Sequence, residues 1–302
     1  MSGVGWGVLG AAAIADHALC PAINAAENGA LVAIAARDRA RAQVLADRHG
    51  IPRVHASYDK LLEDPTVSAV YLPLANSDHR RWTLRALAAG KHVLCEKPLA
   101  LNATEAREMA AAAETAGLLL MEAFMYRFHP RMRALHSSVH DPRFVHAAFS
   151  FRLESPGNYR WHREFGGGAL LDVGCYTLDV VRWLLGEPLS VGAVVSGGPV
   201  DMTVAAVMEF GEGRKATVWA SFEAAEHQQL VVVDAAGSHQ VTEPFTAWHD
   251  PDDPYQRMVE EFGAAVLSGS PAPRLLSDSI ATAELIDRVR GAAAAPVGVP
   301  LS

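Results

Sequence analysis

Up to about residue 122 the chain alternates short β-like runs with Ala-rich helical segments, and this alternation narrows the possible folds most sharply. The runs are Gly5–Gly10, Ala30–Ala36, Ala69–Pro73, His92–Cys95 and Leu118–Glu122. Parallel neighbours need a crossover connection, normally a helix, whereas antiparallel neighbours can be joined by a tight turn. The pattern therefore predicts an open parallel sheet with helices on both faces. Several helix ends are signed. Asn102 reads as an N-cap with Glu105 three positions on, and Gly117 as the stop of that helix; Ser57 precedes another short helix.

After residue 123 the texture changes. Phe144–Leu153, Ser190–Ser196, Met202–Phe210, Ala216–Phe222 and Leu230–Asp234 read as strands with turn residues between them. Strands following one another with little helix between them suggest a mostly antiparallel sheet. Helices are expected at about 168–185, 254–267 and 277–290, the last packing back on the first domain. With 302 residues, half of them hydrophobic, the chain has material for two medium domains. The boundary reads as 1–122 and 123–302. A net charge of −8 argues against nucleic acid as a partner. Three scattered cysteines, Cys20, Cys95 and Cys175, form neither a disulfide framework nor a zinc site. No run of about 20 apolar residues suggests a membrane span, so a cytoplasmic protein with no membrane partner is expected.

The turn after the first strand reads Gly7-Val-Leu-Gly-Ala-Ala-Ala-Ile-Ala15. Taken as G-x-G-x-x-G/A it supplies Gly10 and Ala15, with Ala12 in place of the second glycine. Opening the first βαβ unit, it puts Gly10, Ala12, Ala13 and Ile14 where a helix N-terminus holds a diphosphate. The first domain thus reads as a Rossmann dinucleotide-binding domain, α/β in class, followed by an α+β domain. An NAD site wants an acid at the tip of the second strand. Here Ala36 stands there, followed by Arg37 and Arg41. Guanidinium groups suit a 2′-phosphate, so NADP(H) is expected in preference to NAD(H), with NAD(H) possible.

Polar and titratable residues gather after the other strands: Leu72-Pro-Leu-Ala-Asn-Ser-Asp-His79, Glu96-Lys97-Pro98 and Glu122–His129. Ligands of open parallel sheets sit at those carboxyl ends. Glu96-Lys97-Pro98 after Gly-Lys-His-Val-Leu resembles the signature of the glucose–fructose oxidoreductase / inositol dehydrogenase (Gfo/Idh/MocA) family. The resemblance extends through Tyr71–Asn76, Glu122–Pro130 and Gly166-Gly-Gly-Ala-Leu-Leu-Asp-Val-Gly-Cys-Tyr176. It is strongest to the dihydrodiol dehydrogenase and NADP-dependent xylose dehydrogenase branch, which carries tyrosine where inositol dehydrogenases have histidine.

The resemblance implies Lys97 and Tyr176 as catalytic residues with Asp172 beside them, and a Lys97–Pro98 bond that is cis. Leu72, Leu74, Asn76, His79, Glu96, Lys97 and Pro98 would line the cofactor, Asn76 and His79 near the nicotinamide ribose. Arg127, Asn158, Arg160, Asp172 and Tyr176 would meet substrate hydroxyls. The residues make chemical sense in these roles. On a helix, Asp172, Tyr176 and Asp179 fall at i, i+4 and i+7, on one face that would line a cleft. A phenol with an ordinary pKa near ~10 is a poor base at neutral pH, and a neighbouring ammonium such as Lys97 would favour its phenolate. Either Lys97 or Tyr176 could be the immediate proton carrier. Hydride transfer to nicotinamide needs no metal, and none is expected.

The expected activity is NADP(H)-dependent hydride transfer between nicotinamide and a CH–OH or C=O group of a sugar, cyclitol or dihydrodiol. The alternatives are a reductase of keto-sugars, some nucleotide-linked, and a non-catalytic dinucleotide sensor. Two departures from the branch bear on the substrate rather than the chemistry. Only nine residues separate Phe245 from Tyr255, where relatives carry a longer stretch, and Ala75 stands where a second proline is usual. A homo-oligomer is expected through the C-terminal sheet, whose outer face would otherwise expose apolar strands.

Overall fold

The computed structural model describes residues 3–155, 157–249 and 251–294. Residues 295–302, the end of the second domain as read, lie outside the described residues. The chain divides into two compact units, Met1–Arg133 with Ala247–Ile280, and Ala134–Thr246 with Ala281–Ser302. In chain order the first stretch gives β1 (Val4–Leu9), α1 (Cys20–Ala25), β2 (Gly29–Ala35), α2 (Arg39–His49), β3 (Val54–His55), α3 (Tyr58–Leu62) and β4 (Ala69–Leu72). It continues with α4 (Asn76–Ala88), β5 (His92–Glu96), α5 (Ala103–Ala116) and β6 (Leu120–Ala123). After α6 (Pro130–Ser138) come β7 (Phe144–Ser150), α7 (Cys175–Leu185), β8 (Ser190–Gly197), β9 (Asp201–Glu209) and β10 (Lys215–Ser221). The chain ends with β11 (His227–Val233), β12 (Ser238–Thr242), α8 (Pro254–Ser268) and α9 (Leu276–Ala294).

The first sheet is parallel throughout, in the order β3-β2-β1-β4-β5-β6. Its central strands are buried almost end to end, as strands covered on both faces must be. The signed helix ends hold. The Asn102 side chain accepts the Glu105 N–H at 3.0 Å and Glu105 accepts the Leu101 N–H at 3.1 Å, a reciprocal cap on α5. Gly117 closes α5 in the left-handed conformation, and Ser57 accepts from Lys60 N–H at 3.2 Å. α4 opens after Ala75, whose φ of −64° is the value a proline would impose, so alanine keeps that turn.

Residues 247–280 bring α8 into the first unit. Phe262 and Trp6, both fully buried, meet with ring centroids 5.6 Å apart. Asn28 Nδ2 donates to the Glu260 carbonyl at 2.7 Å, and Arg133 makes two hydrogen bonds to Glu261 at 2.7 and 2.9 Å.

In the second unit the sheet order is β12-β11-β7-β10-β9-β8. Four of its pairings are antiparallel and β7–β10 is parallel, so the sheet is mixed. Strand periodicity reports which face is buried and says nothing about which strand arrives next to β7. The edge strand β12, Ser-His-Gln-Val-Thr, escapes a hydrophobic reading because it has one apolar residue. The helix expected at 168–185 is two pieces. A π-helical turn, Leu170–Gly174, precedes α7, so the register of one continuous α-helix does not run through Asp172. No helix among the described residues is long and apolar enough to cross a membrane.

Because α8 completes the core around β1, Phe262→Ala is expected to lower stability by about 3–5 kcal/mol in equilibrium urea unfolding. A change of less than about 1 kcal/mol would mean that α8 is not part of that core.

Candidate active site

The turn after β1 is built on Gly10. Its φ of +125° disfavours any L side chain, and a Cβ there would lie 3.0 Å from Leu74 Cδ2 and 3.5 Å from the Pro73 carbonyl oxygen. Its N–H donates to the Ala35 carbonyl at 2.8 Å. The backbone then enters a helix at Ala13; the Ala15 and Asp16 N–H groups bond the Ala12 carbonyl at 3.1 and 3.2 Å, which leaves those of Ala13 and Ile14 as the orphan donors of the first turn.

A cavity of about 370 Å³ opens beside this turn, lined by Ala11, Ala12, Ala13, Asp16, His17, Ala40, Arg41, Val44 and Leu45. Arg41 lies across it and donates to the Ala11 carbonyl at 2.6 Å. Asp38, the one acid near the β2 tip, is used as the N-cap of α2, accepting from the Ala40 and Arg41 N–H groups at 2.9 and 3.2 Å. Asp16 in the wall is neutralised by His49 at 2.8 Å and by Arg48, and the His49 hydrogen bond leads in holding its carboxyl below the usual range.

Arg41, Ala12 and Ala13 are thus brought together. Arg37 is exposed and outside that wall, with its backbone hydrogen-bonded to the Tyr58 hydroxyl. This donor set fits a dinucleotide: a glycine without Cβ at the turn, the helix N–H groups of Ala13 and Ile14, and an exposed Arg41 guanidinium, with Asp38 committed to the cap of α2.

At the next strand tips the polar residues grip one another. Leu72 is buried, and Asn76, at the first position of α4, is almost wholly so. His79 was expected near a ribose, but it is fully buried. Its Nδ1 lies 2.8 Å from the Pro98 carbonyl oxygen and its Nε2 3.2 Å from that of Leu74. Burial pushes its pKa down, against the two carbonyl contacts, and the ring sits between two loops.

Glu96 accepts from the Tyr71 hydroxyl at 2.6 Å and from the Lys97 N–H at 3.3 Å. Burial raises its pKa, against the opposing Tyr71 bond. The Lys97–Pro98 bond is cis, and Lys97 itself is half-buried. Two further residues at this tip were not singled out from the sequence as site residues. Glu122 on β6 accepts the Leu99 N–H at 2.8 Å, and Arg274 pairs with Glu122. No local pattern could have flagged Arg274, because its partner is 152 residues away.

The second unit gathers Asn158, Arg160, Asp172 and Tyr176. The run Gly166-Gly-Gly168 makes this possible. A Cβ at Gly167 would overlap the Arg160 carbonyl, and one at Gly168 would overlap the Asp201 carboxylate. In their absence the Gly168 N–H reaches the Arg160 carbonyl at 3.0 Å, and the Asp201 carboxylate accepts the Leu170 N–H at 2.5 Å. The Asn158 side chain accepts the Arg160 N–H at 3.1 Å, and Arg160 Nε donates to Asp172 Oδ2 at 2.6 Å. Burial works against the Arg160 charge, but Asp172, then Tyr159, more than offset it, with a smaller contribution from Tyr176; the guanidinium stays protonated.

Asp172, almost wholly buried, is thus an ion-pair partner of Arg160. The expected shared face fails at Asp179, because that residue is fully buried and accepts from Thr282 at 3.0 Å. Tyr176, buried, packs its ring against Phe149 and Phe245 at centroid distances of 5.7 and 5.2 Å. Neither phenylalanine was read as a site residue, since in sequence each looks like ordinary core. Arg127 belongs to the first unit, half-buried, with its guanidinium 6.0 Å from the Tyr126 ring. Among the described residues no group of three or more His, Cys, Asp or Glu side chains could hold a metal ion.

Comparison with known proteins matches residues 4–124 to the family model of the Gfo/Idh/MocA oxidoreductases with an NAD-binding Rossmann fold, and residues 137–240 to a Gfo/Idh/MocA C-terminal domain. D-xylose 1-dehydrogenase (NADP(+)) 2 of Haloferax volcanii is 36% identical over 98% of this chain and 99% of its own. A trans-1,2-dihydrobenzene-1,2-diol dehydrogenase of Sus scrofa is 35% identical over 79% of this chain and 74% of its own. Among solved structures, a variant of KijD10, a 3-ketoreductase from Actinomadura kijaniata in complex with TDP-benzene and NADP, superposes with a TM-score of 0.91. It is 31% identical, with 96% of this chain and 98% of that one covered. The chain belongs to the Gfo/Idh/MocA oxidoreductase family.

Proposed function

We propose that this protein is an NADP(H)-dependent oxidoreductase that moves a hydride between the nicotinamide and a CH–OH or C=O carbon of a sugar-like substrate. The observation that carries the reading is the Arg41-lined cavity beside the Gly10 turn, with the nearby Asp38 committed to a helix cap. The NADP-dependent xylose dehydrogenase and the NADP-bound ketoreductase among its relatives support it. Residues 1–122 serve as the cofactor domain in this reading, and 123–302 as the substrate and oligomerisation domain. The cofactor, when bound, supplies the hydride acceptor or donor. Lys97 polarises the substrate oxygen with its ammonium, and Tyr176 carries the hydroxyl proton. Asp172 acts through Arg160, whose guanidinium it holds by an ion pair. A nucleotide-linked keto-sugar is the second reading, favoured by the likeness to the TDP-benzene complex over nearly the whole chain.

The same sheet that carries β7 suggests self-association. Its register aligns Val207, Thr217, His146 and Val231 in one row, and Val194, Ala205 and Trp219 in the next, on a single face. Val194 and Val207 are more than half exposed. Apolar surface of this kind is ordinarily covered, and a second copy of the chain is the proposed cover.

Three outcomes test these readings. Absorbance assays with aldoses, cyclitols, dihydrodiols and keto-sugars are expected to show turnover preferring NADP⁺. Arg41→Ala should raise the NADP⁺ KM about 10- to 100-fold while leaving the NAD⁺ value nearly unchanged, the loss expected for one charge-assisted bond. An equal effect on both cofactors would place Arg41 away from the 2′-phosphate. Lys97→Ala and Tyr176→Phe should each lower kcat by about 10²–10⁴, and retained turnover in either removes that residue from the chemistry. Light scattering should give a mass above one chain, and Val207→Lys should reduce it; a monomeric parent protein refutes the sheet-mediated pairing.

A further inference from the structure

The backbone around Lys97 is held at three consecutive residues by buried side chains. Glu96 accepts the Lys97 N–H, His79 grips the Pro98 carbonyl, and Glu122 accepts the Leu99 N–H. The first two are local to the tips of β4 and β5. Glu122 differs, because its side chain is only 3% exposed and a carboxylate so deeply buried needs a compensating charge. One such charge comes from the loop between α8 and α9. Arg274 Nη2 donates to Glu122 Oε2 at 3.2 Å, its own side chain is 3% exposed, and its guanidinium lies 4.8 Å from the Phe124 ring centroid. The two carboxylate oxygens are thus divided, Oε2 to Arg274 and Oε1 to the Leu99 N–H at 2.8 Å.

We propose that Arg274 is a positioning residue for Lys97: it holds the Glu122 carboxylate in place, and through the Leu99 N–H it fixes the loop that carries the ammonium. The proposal rests on the reading of Lys97 as the group that meets the substrate oxygen. A buried ion pair is a poor device for stability alone, since apolar residues of similar volume would join the α8–α9 loop to β6 as well or better. What the charged pair adds is an oriented acceptor for one particular N–H, two residues from Lys97. Without Arg274 the Glu122 carboxylate loses one of its buried partners, and the Leu99 anchor weakens.

The test uses the full-length protein, with Arg274→Met and the double variant Glu122→Gln/Arg274→Met. In the double variant both members of the pair are neutral, and the glutamine carbonyl can still accept the Leu99 N–H. Arg274→Met is expected to lower kcat about 10- to 100-fold, the scale of a small misplacement of a reacting group, with NADP⁺ affinity changed less than about 2-fold. The double variant should recover most of that loss. A second readout does not depend on turnover. The chain has four lysines, Lys60, Lys91, Lys97 and Lys215, and reductive methylation with ¹³C gives each a resolvable NMR signal, that of Lys97 being identified by its loss in Lys97→Arg. The Lys97 signal should move in Arg274→Met and return in the double variant.

An unchanged kcat and an unmoved Lys97 signal in Arg274→Met would overturn the proposal. So would a loss of rate that follows the loss of thermal stability and persists in the double variant. If Lys97→Ala keeps full activity, the reading of Lys97 fails instead, and the NMR signal still reports whether Arg274 positions it.

Discussion

Parallel strands cannot be joined by hairpins, and that constraint governs the rest of the first unit. Every strand of the β3-β2-β1-β4-β5-β6 sheet is entered from the same edge and left at the other. The loops at the carboxyl edge therefore hold the Gly10 turn, the Leu72–Asn76 segment and Glu96-Lys97-Pro98, although these lie tens of residues apart in the chain. The order reverses between β1 and β4, where the chain runs outward in both directions. Such a reversal leaves a crevice that no crossover fills, which is where open α/β sheets bind their ligands. The Arg41 cavity lies beside the turn that leaves β1.

Gathering polar loops at one edge creates a problem that the structure resolves in a consistent way. Buried polar groups are costly unless they are hydrogen-bonded, and buried charges more so. Tyr71 satisfies Glu96, His79 spans the carbonyls of Leu74 and Pro98, and Glu122 divides its oxygens between Leu99 and Arg274. Each partner comes from a different element, so the satisfaction of one group restrains the loop of another. A site held this way is stiff, and stiffness in the supporting shell is what keeps a reactive group oriented.

The second unit uses close approach instead. Three consecutive glycines let the Arg160 backbone come down onto the start of the π-helical turn, and Asp172 then fixes the guanidinium. The π turn offsets Asp172 from the register of α7, and it does so at the residue that makes the ion pair. Asp179, beyond the turn, points into a buried contact with Thr282, which Arg182 also reaches at 3.0 Å. One acid of the Asp172–Tyr176–Asp179 series is therefore paired with Arg160 and the other with Thr282 of α9.

The sequence by itself determined what depends on neighbours along the chain. The alternation of strands and helices, the Asn102 and Ser57 caps, the stop at Gly117 and the small-residue turn at Gly10 are local effects, legible because hydrophobic period and backbone preference act over a few residues. The motifs Glu96-Lys97-Pro98 and Gly166–Tyr176 were legible as a resemblance for the same reason: their residues are contiguous. Tertiary structure alone decided what depends on distant partners. It made the second sheet mixed, buried His79 between the Leu74 and Pro98 carbonyls, gave Asp172 to Arg160, set Phe149 and Phe245 against Tyr176, and brought Arg274 to Glu122. Propensity and periodicity say how a segment folds and which face it buries, whereas the partner of a buried charge is fixed only when the whole chain has closed around it.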